Sequence, residues 1–465
     1  MSNIKIGFLP LYLQLYEDIK PWAKEPMLPH KEECIKRLKY MGAEVIAVDL
    51  CTKEEQFMAA ADLFIKEDVD VIVTLHIAYS PSLKSIGAFV KMNKPVIALD
   101  ATPTYDFKSS MFVKDEIFPN HGIHGVQDMC NLLRRNNIPF KVEAGHIDHS
   151  DVIERVFADC QAAKAAKNLK SIRVGRVGGS FDGMGDFFKT PEELKDELGA
   201  TVVPIDLELY NNLYSAVTDE EINAQIAYDK EAFEFYPDVN EDDYYIATKA
   251  GIALEKWIEA EKLGAYTVNF LGTGTGGIHK MPFHYICKII AKGIGYAGEG
   301  DVLTASLVGA LQAVYPETSF TEMFCPCWKT GEVFLSHMGE MNINLSSRKP
   351  KLKNCGFSWT DAGNTTQLTA CLKQGEAVLV NLAPCAEGKY TLILAPVEMK
   401  DFRDENGVYD TEIRGWFKPN KPIERFLEEY SNYGGTHHCA VVYGDNLKSL
   451  ELFGKFMGFE VVVIE

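Results

Sequence analysis

Val69-Asp70-Val71-Ile72-Val73 and, after a gap of helix length, Pro95-Val96-Ile97-Ala98-Leu99 are two short, apolar, β-branched runs. Runs of this kind, with little polar alternation, suit strands buried on both faces of a parallel sheet. The pattern extends toward the N-terminus, through Val45-Ile46-Ala47-Val48 back to Ile4-Lys5-Ile6-Gly7-Phe8-Leu9. Helical stretches lie between the runs, at 29–40 and 53–66. Strand and helix in alternation predict a parallel sheet wrapped by helices, a Rossmann-like layer sandwich over residues 1–168.

The same texture restarts at Ser171-Ile172-Arg173-Val174-Gly175. Thr201-Val202-Val203 and Tyr266-Thr267-Val268-Asn269-Phe270 supply later strands, with helices at 191–198, 219–230 and 241–263. A central α/β domain is expected over 169–318. Beyond it helical periodicity fades. Short alternating runs take over, such as Glu376-Ala377-Val378-Leu379-Val380 and Tyr390-Thr391-Leu392-Ile393-Leu394. Residues 319–465 therefore read as a mostly antiparallel sheet or barrel. Its tail is a strand at Cys439-Ala440-Val441-Val442-Tyr443, a helix over 447–457 and a last strand over 461–464.

A chain of 465 residues exceeds one hydrophobic core, which agrees with several domains. The formal net charge is −19. Such a surface repels phosphate backbones and anionic lipid, so neither nucleic acid nor a membrane is an expected partner. A neutral small substrate fits better. The 11 cysteines are odd in number and irregular in spacing, which points to a reducing compartment. Cys325-Pro326-Cys327 lacks the second pair that zinc needs. Met1-Ser2-Asn3 leads straight into a strand-like run, with no export signal visible, and no apolar stretch reaches the ~20 residues of a membrane helix. A cytoplasmic protein is expected.

A metal that grips neighbouring hydroxyls wants carboxylate and imidazole ligands. Four stretches offer them. In Gly295-Tyr296-Ala297-Gly298-Glu299-Gly300-Asp301, glycines frame an acid just before an expected helix at 302–314. Asp301 could simply cap that helix, leaving Glu299 free. In Thr318-Ser319-Phe320-Thr321-Glu322-Met323-Phe324, Glu322 interrupts a strand, pointing to solvent or to a ligand. In Val333-Phe334-Leu335-Ser336-His337-Met338-Gly339-Glu340, His337 ends a strand, as a satisfied core residue or a ligand. In Gly434-Gly435-Thr436-His437-His438-Cys439, two histidines open a strand. Strand neighbours face opposite ways, so at most one should ligate. Gly272-Thr273-Gly274-Thr275-Gly276-Gly277 mimics a dinucleotide fingerprint, but Met281-Pro282 follows and any helix starts too late.

Taken in order, these four stretches resemble the L-arabinose isomerase family. Trp416-Phe417-Lys418-Pro419 ahead of Gly434-Gly435-Thr436-His437-His438 is similar to its C-terminal signature. The resemblance implies that Glu299, Glu322, His337 and His438 hold Mn²⁺, or another divalent ion such as Co²⁺ or Mg²⁺. It implies that Glu299 and Glu322 double as the acid–base pair and that His437 assists at the substrate. Phe270 would line the sugar pocket. Asn120-His121-Gly122-Ile123-His124-Gly125 looks like a family segment that reaches a neighbouring subunit's site, which makes His124 a candidate substrate contact. Trimers or hexamers with sites at subunit interfaces are implied.

The sugar-selecting pieces depart from the family. Its Gln-His-Leu-Tyr-Gly stretch is here Leu13-Gln14-Leu15-Tyr16-Glu17, with Gln14 a candidate substrate contact. Glycine-rich pieces occur at Gly178-Gly179-Ser180-Phe181-Asp182-Gly183 and at 272–277. The expected reaction is an aldose–ketose isomerisation by an enediol route. L-Arabinose giving L-ribulose, or D-galactose giving D-tagatose, would be the pair, as a step of carbohydrate and arabinose catabolism. Alternatives are a same-scaffold isomerase or epimerase for another sugar such as L-fucose, or a non-catalytic sugar binder.

Overall fold

The computed structural model describes residues 4–110, 116–401 and 413–465. Met1, Ser2 and Asn3, on which the expectation of no export signal rests, lie outside the described residues. The chain divides into two compact units, one over 2–167 with 455–457, the other over 168–454 with 458–465. The central stretch and, apart from 455–457, the C-terminal stretch expected from sequence fall within the second unit.

The first unit holds β1 (Lys5–Leu11), β2 (Glu44–Ala47), β3 (Val71–His76), β4 (Val96–Asp100) and β5 (Phe140–Ala144). They form a parallel sheet in the order β2-β1-β3-β4-β5. Every residue of β3 is buried, as its apolar run requires. Leu9, Phe57, Phe64, Phe89, Val96 and Met129 make the core under the helices.

In the second unit, β6 (Arg173–Val177), β7 (Thr201–Pro204), the two-residue β8 (Glu234–Phe235), β9 (Ala265–Val268) and β10 (Gly295–Gly298) follow in sequence. Four of them form a parallel sheet, β10-β9-β6-β7. The helices over Pro191–Leu198, Asp219–Ala232 and Glu241–Ala260 fall where the sequence placed them. The strand expected through Phe270 ends earlier, at Val268. Asn269 caps a short 3₁₀ turn over Phe270–Gly272 by accepting from the Leu271 N–H. The helix after the glycine-rich piece begins only at Phe283, so those glycines do not open a helix.

The remaining strands are β11 (Thr318–Cys327), β12 (Glu332–His337), β13 (Lys351–Cys355), β14 (Thr365–Cys371), β15 (Gly375–Pro384), β16 (Tyr390–Lys400), β17 (Ile413–Pro419), β18 (His438–Tyr443) and β19 (Glu460–Val463). Antiparallel pairings run β16-β15-β18-β11-β12-β17, and β17 returns to β16, so six strands close a barrel. Closure leaves those strands without free edges. Leu335, Leu379, Ile393, Phe417 and Val441 belong to its core. The helix Val302–Gln312 is buried on every side. It packs against β6, β9 and β10 and also against the barrel strands β11, β15 and β18. A helix apolar all round is what such a position demands.

Candidate metal centre

Glu299 occupies the turn at the carboxyl end of β10, the end where open parallel sheets present ligands. Its φ is +61°, between Gly298 and Gly300. A non-glycine residue there costs about 1–3 kcal/mol and persists only where the surroundings hold it. Here the Glu299 N–H donates to the Val268 carbonyl at 3.0 Å, and its own carbonyl accepts from the Phe181 N–H at 2.9 Å. The flanking glycines permit close approach. A Cβ on Gly298 would lie 2.6 Å from His337 Nε2, and one on Gly300 would lie 2.1 Å from the Gly179 carbonyl oxygen.

Three barrel strands bring the other groups together. His337 ends β12 and His438 begins β18, while β11 runs between them. Glu322 on β11 pairs in register with Ser336 on one side and His438 on the other. Ligand atoms of Glu299, His337 and His438 all lie within 4.8 Å of one another. Glu322 does not join that set of three. It stands half-buried beside it, within the field of Glu299 and all three histidines.

Each histidine of the set is anchored at one nitrogen. His337 Nδ1 lies 2.6 Å from Glu340 Oε2, and Glu340 Oε1 accepts from the Tyr296 hydroxyl at 2.8 Å. His438 Nδ1 lies 2.9 Å from Asp301 Oδ2, both side chains being fully buried. Asp301 does double duty, because its Oδ1 also caps the helix by accepting from the Thr304 N–H. With Nδ1 so engaged, His438 Nε2 is left buried with no hydrogen-bond partner. A carboxylate–histidine pair that fixes ring orientation in this way is how proteins present an imidazole to a metal. One carboxylate and two imidazole nitrogens suit a divalent ion of intermediate hardness.

His437 does something different, as alternation along the chain suggested. It stands just before β18, with Nδ1 2.6 Å from Asp186 Oδ2 and Nε2 3.9 Å from Glu299. Burial alone would lower its pKa, but Asp186 and Glu299 outweigh burial and hold it up at about 10. The same contest raises His337 to about 9, with Glu340 the dominant carboxylate. The two glutamates diverge. Burial pushes both toward protonation; the histidines overcome it at Glu299, whose pKa falls, but not at Glu322, whose pKa rises.

Phe270 sits half-buried, its ring 5.6 Å from Phe181 and 5.9 Å from Trp359. Gln14 and His124 lie in the N-terminal unit, whereas the centre belongs to the other. Gln14 Nε2 donates to Asp18 at 2.7 Å, and the exposed His124 ring stacks on His121 at 4.9 Å. Sequence reasoning missed the anchors Glu340 and Asp186, and took Asp301 for a cap alone. The i,i+3 spacing of His337 and Glu340 could have signalled one of them; nothing local marks Asp186.

Models of the L-arabinose isomerase central domain and C-terminal domain match residues 192–316 and 317–460. Together they span more than half of the chain. The chain is 23% identical to an L-arabinose isomerase of Shouchella clausii, over 99% of this chain and 93% of that protein. Similar proteins of the same name occur in Oceanobacillus iheyensis (23% identical, 90% of each chain) and Vibrio parahaemolyticus (24%, 85% of this chain and 81% of the other).

Proposed function

This chain belongs to the L-arabinose isomerase family and is an aldose–ketose isomerase; from that premise we propose a metal-dependent enediol route on L-arabinose or a close relative such as D-galactose. The convergence of Glu299, His337 and His438 around the unpartnered His438 Nε2 carries this reading. These three would hold the ion, Mn²⁺ being the expected one, with Glu322 completing the set. The chemistry such an ion supplies is polarisation of two adjacent sugar oxygens.

The protein groups do the proton work. A base must take the C2 proton of the open-chain aldose, and an acid must deliver one on the O1 side. Glu299 is held toward its ionised form and Glu322 toward its protonated form. Two carboxyls pushed apart in this way suit opposite roles. We assign Glu299 as base and Glu322 as acid, with His437 beside Glu299 binding a sugar oxygen. Phe270, with Phe181 and Trp359, forms an apolar wall suited to the C–H face of the sugar.

No helix among the described residues is long and apolar enough to cross a membrane. The 11 free cysteines accord with a reducing, cytoplasmic setting. In a trimer or hexamer, Gln14 and His124 would serve a neighbour's site. The deciding experiment strips the protein with chelator, restores Mn²⁺ and follows ketose formation from a panel of aldoses. One aldose turning over only with metal is the expected result. Metal binding with no turnover of any aldose would overturn the proposed reaction.

A further inference from the structure

Residues 178–187, the loop that leaves β6, carry no regular structure, yet they are fastened at several points. Gly178 abuts Gly272 so closely that a Cβ would lie 2.7 Å from its Cα. The Phe181 N–H bonds the Glu299 carbonyl at 2.9 Å. The last two residues of the loop then meet the paired histidines. Phe187, 1% exposed, lies flat on His438 with 3° between the rings and 5.0 Å between their centres. Asp186 Oδ2 accepts from the His437 backbone N–H at 3.1 Å and from Nδ1 of the same residue at 2.6 Å.

We propose that Asp186 is a positioning residue for the isomerisation, holding His437 so that Nε2 faces the substrate side of Glu299. Two bonds to one carboxylate oxygen lock both the backbone and the ring of His437. The ring can then neither turn away nor present Nδ1 in place of Nε2. Stability is a poor reason for the pair. Its side chains are 31% and 37% exposed, and ion pairs at that exposure contribute little. The consequence is geometric, because the locked ring holds Nε2 3.9 Å from the Glu299 carboxylate. A misplacement of the order of 1 Å in such a group costs about 10²-fold in rate. The loop that bears Asp186 also bonds the Glu299 turn, so one segment sets base and imidazole against each other.

This inference rests on the isomerase reading, and its test separates the two. Asp186→Ala should lower kcat about 10²-fold while KM changes less than about threefold. Mn²⁺ affinity, measured by calorimetry, should stay within about threefold, since none of the three clustered ligands is touched. Asp186→Glu should restore part of the lost kcat. In histidine-labelled protein, a low-field ring proton bonded to Asp186 should be absent from Asp186→Ala and from His437→Asn, and retained in Asp186→Glu. That resonance is read without substrate, so it stands even if no aldose turns over. Should the alanine variant fail to fold, Asp186→Leu, which keeps the bulk and removes the acceptor, carries the same measurements. Unchanged kcat with an unchanged resonance overturns the proposal. So does a loss of Mn²⁺ affinity as large as the loss of kcat, because Asp186 would then act through the metal site.

Discussion

Two buried histidines, in different units, show what separates a candidate ligand from a desolvated side chain. His76 ends β3 in the N-terminal unit, 2% exposed, with neither ring nitrogen bonded. The hydroxyls of Tyr12, Thr74 and Ser80, in the same unit, are likewise buried without partners. Burial drives the His76 pKa down to about 3, so the ring is neutral. His438 is also fully buried with an unpartnered nitrogen, but its other nitrogen is held by Asp301, and Glu299 stands 3.6 Å away. An orphaned nitrogen is thus common to both. Anchoring at the far nitrogen and a converging carboxylate occur only at His438.

The largest test of that contrast removes the converging charge. Glu299→Gln should lower kcat by about 10³-fold or more, having lost both a proposed ligand and the proposed base. Near-normal turnover would place the chemistry elsewhere. Next comes Asp159 in the N-terminal unit, 7% exposed with Oδ2 unpartnered. Burial raises its pKa from 3.8 to about 6. The native state then binds a proton that the unfolded chain releases, so stability falls as pH rises from about 4 to 6 and stays penalised above. Asp159→Asn should stabilise the unit by on the order of 3 kcal/mol at pH 7, and by nothing below about pH 4. Denaturant unfolding at both pH values would show it; equal shifts at the two would refute the cause.

The anchors should act more mildly. Asp301→Asn keeps a good helix cap but weakens the hold on His438, and Glu340→Gln does the same at His337. Each should cost about 10–100-fold in Mn²⁺ affinity with little change in melting temperature. Calorimetry on the pair decides it, and full affinity in both would erase the distinction between the two histidines. The smallest effect belongs to His76→Leu. With no bond to lose, it should move stability by less than about 1 kcal/mol at pH 7. A loss of several kcal/mol in urea unfolding would reveal a partner for His76.

Much of the architecture was legible because it rests on local pattern. The runs at 69–73 and 95–99 became β3 and β4, and the helix over Pro191–Leu198 began at the capping Thr190. The glycine frame of Glu299 was visible as composition, and the positive φ explains it. What local pattern misjudged was the end of β9, where Asn269 turns the chain before Phe270. The two histidine anchors that sequence did not single out as such sit at very different distances along the chain. Glu340 lies three residues from His337; Asp186 lies 251 residues from His437.

By itself the sequence determined two α/β sheets followed by a β-rich end, an acidic surface, and the glutamate and histidine stretches by which the chain resembles a sugar isomerase family. Hydrophobic periodicity and turn chemistry act over a few residues, so they can be read in a line. Only the tertiary structure decided that β16 and β17 close the barrel, that Glu322 stands beside the cluster of Glu299, His337 and His438, and that Asp301, a cap already legible in the sequence, also holds His438. Those facts depend on strand register and on contacts across more than a hundred residues, and no local preference encodes them.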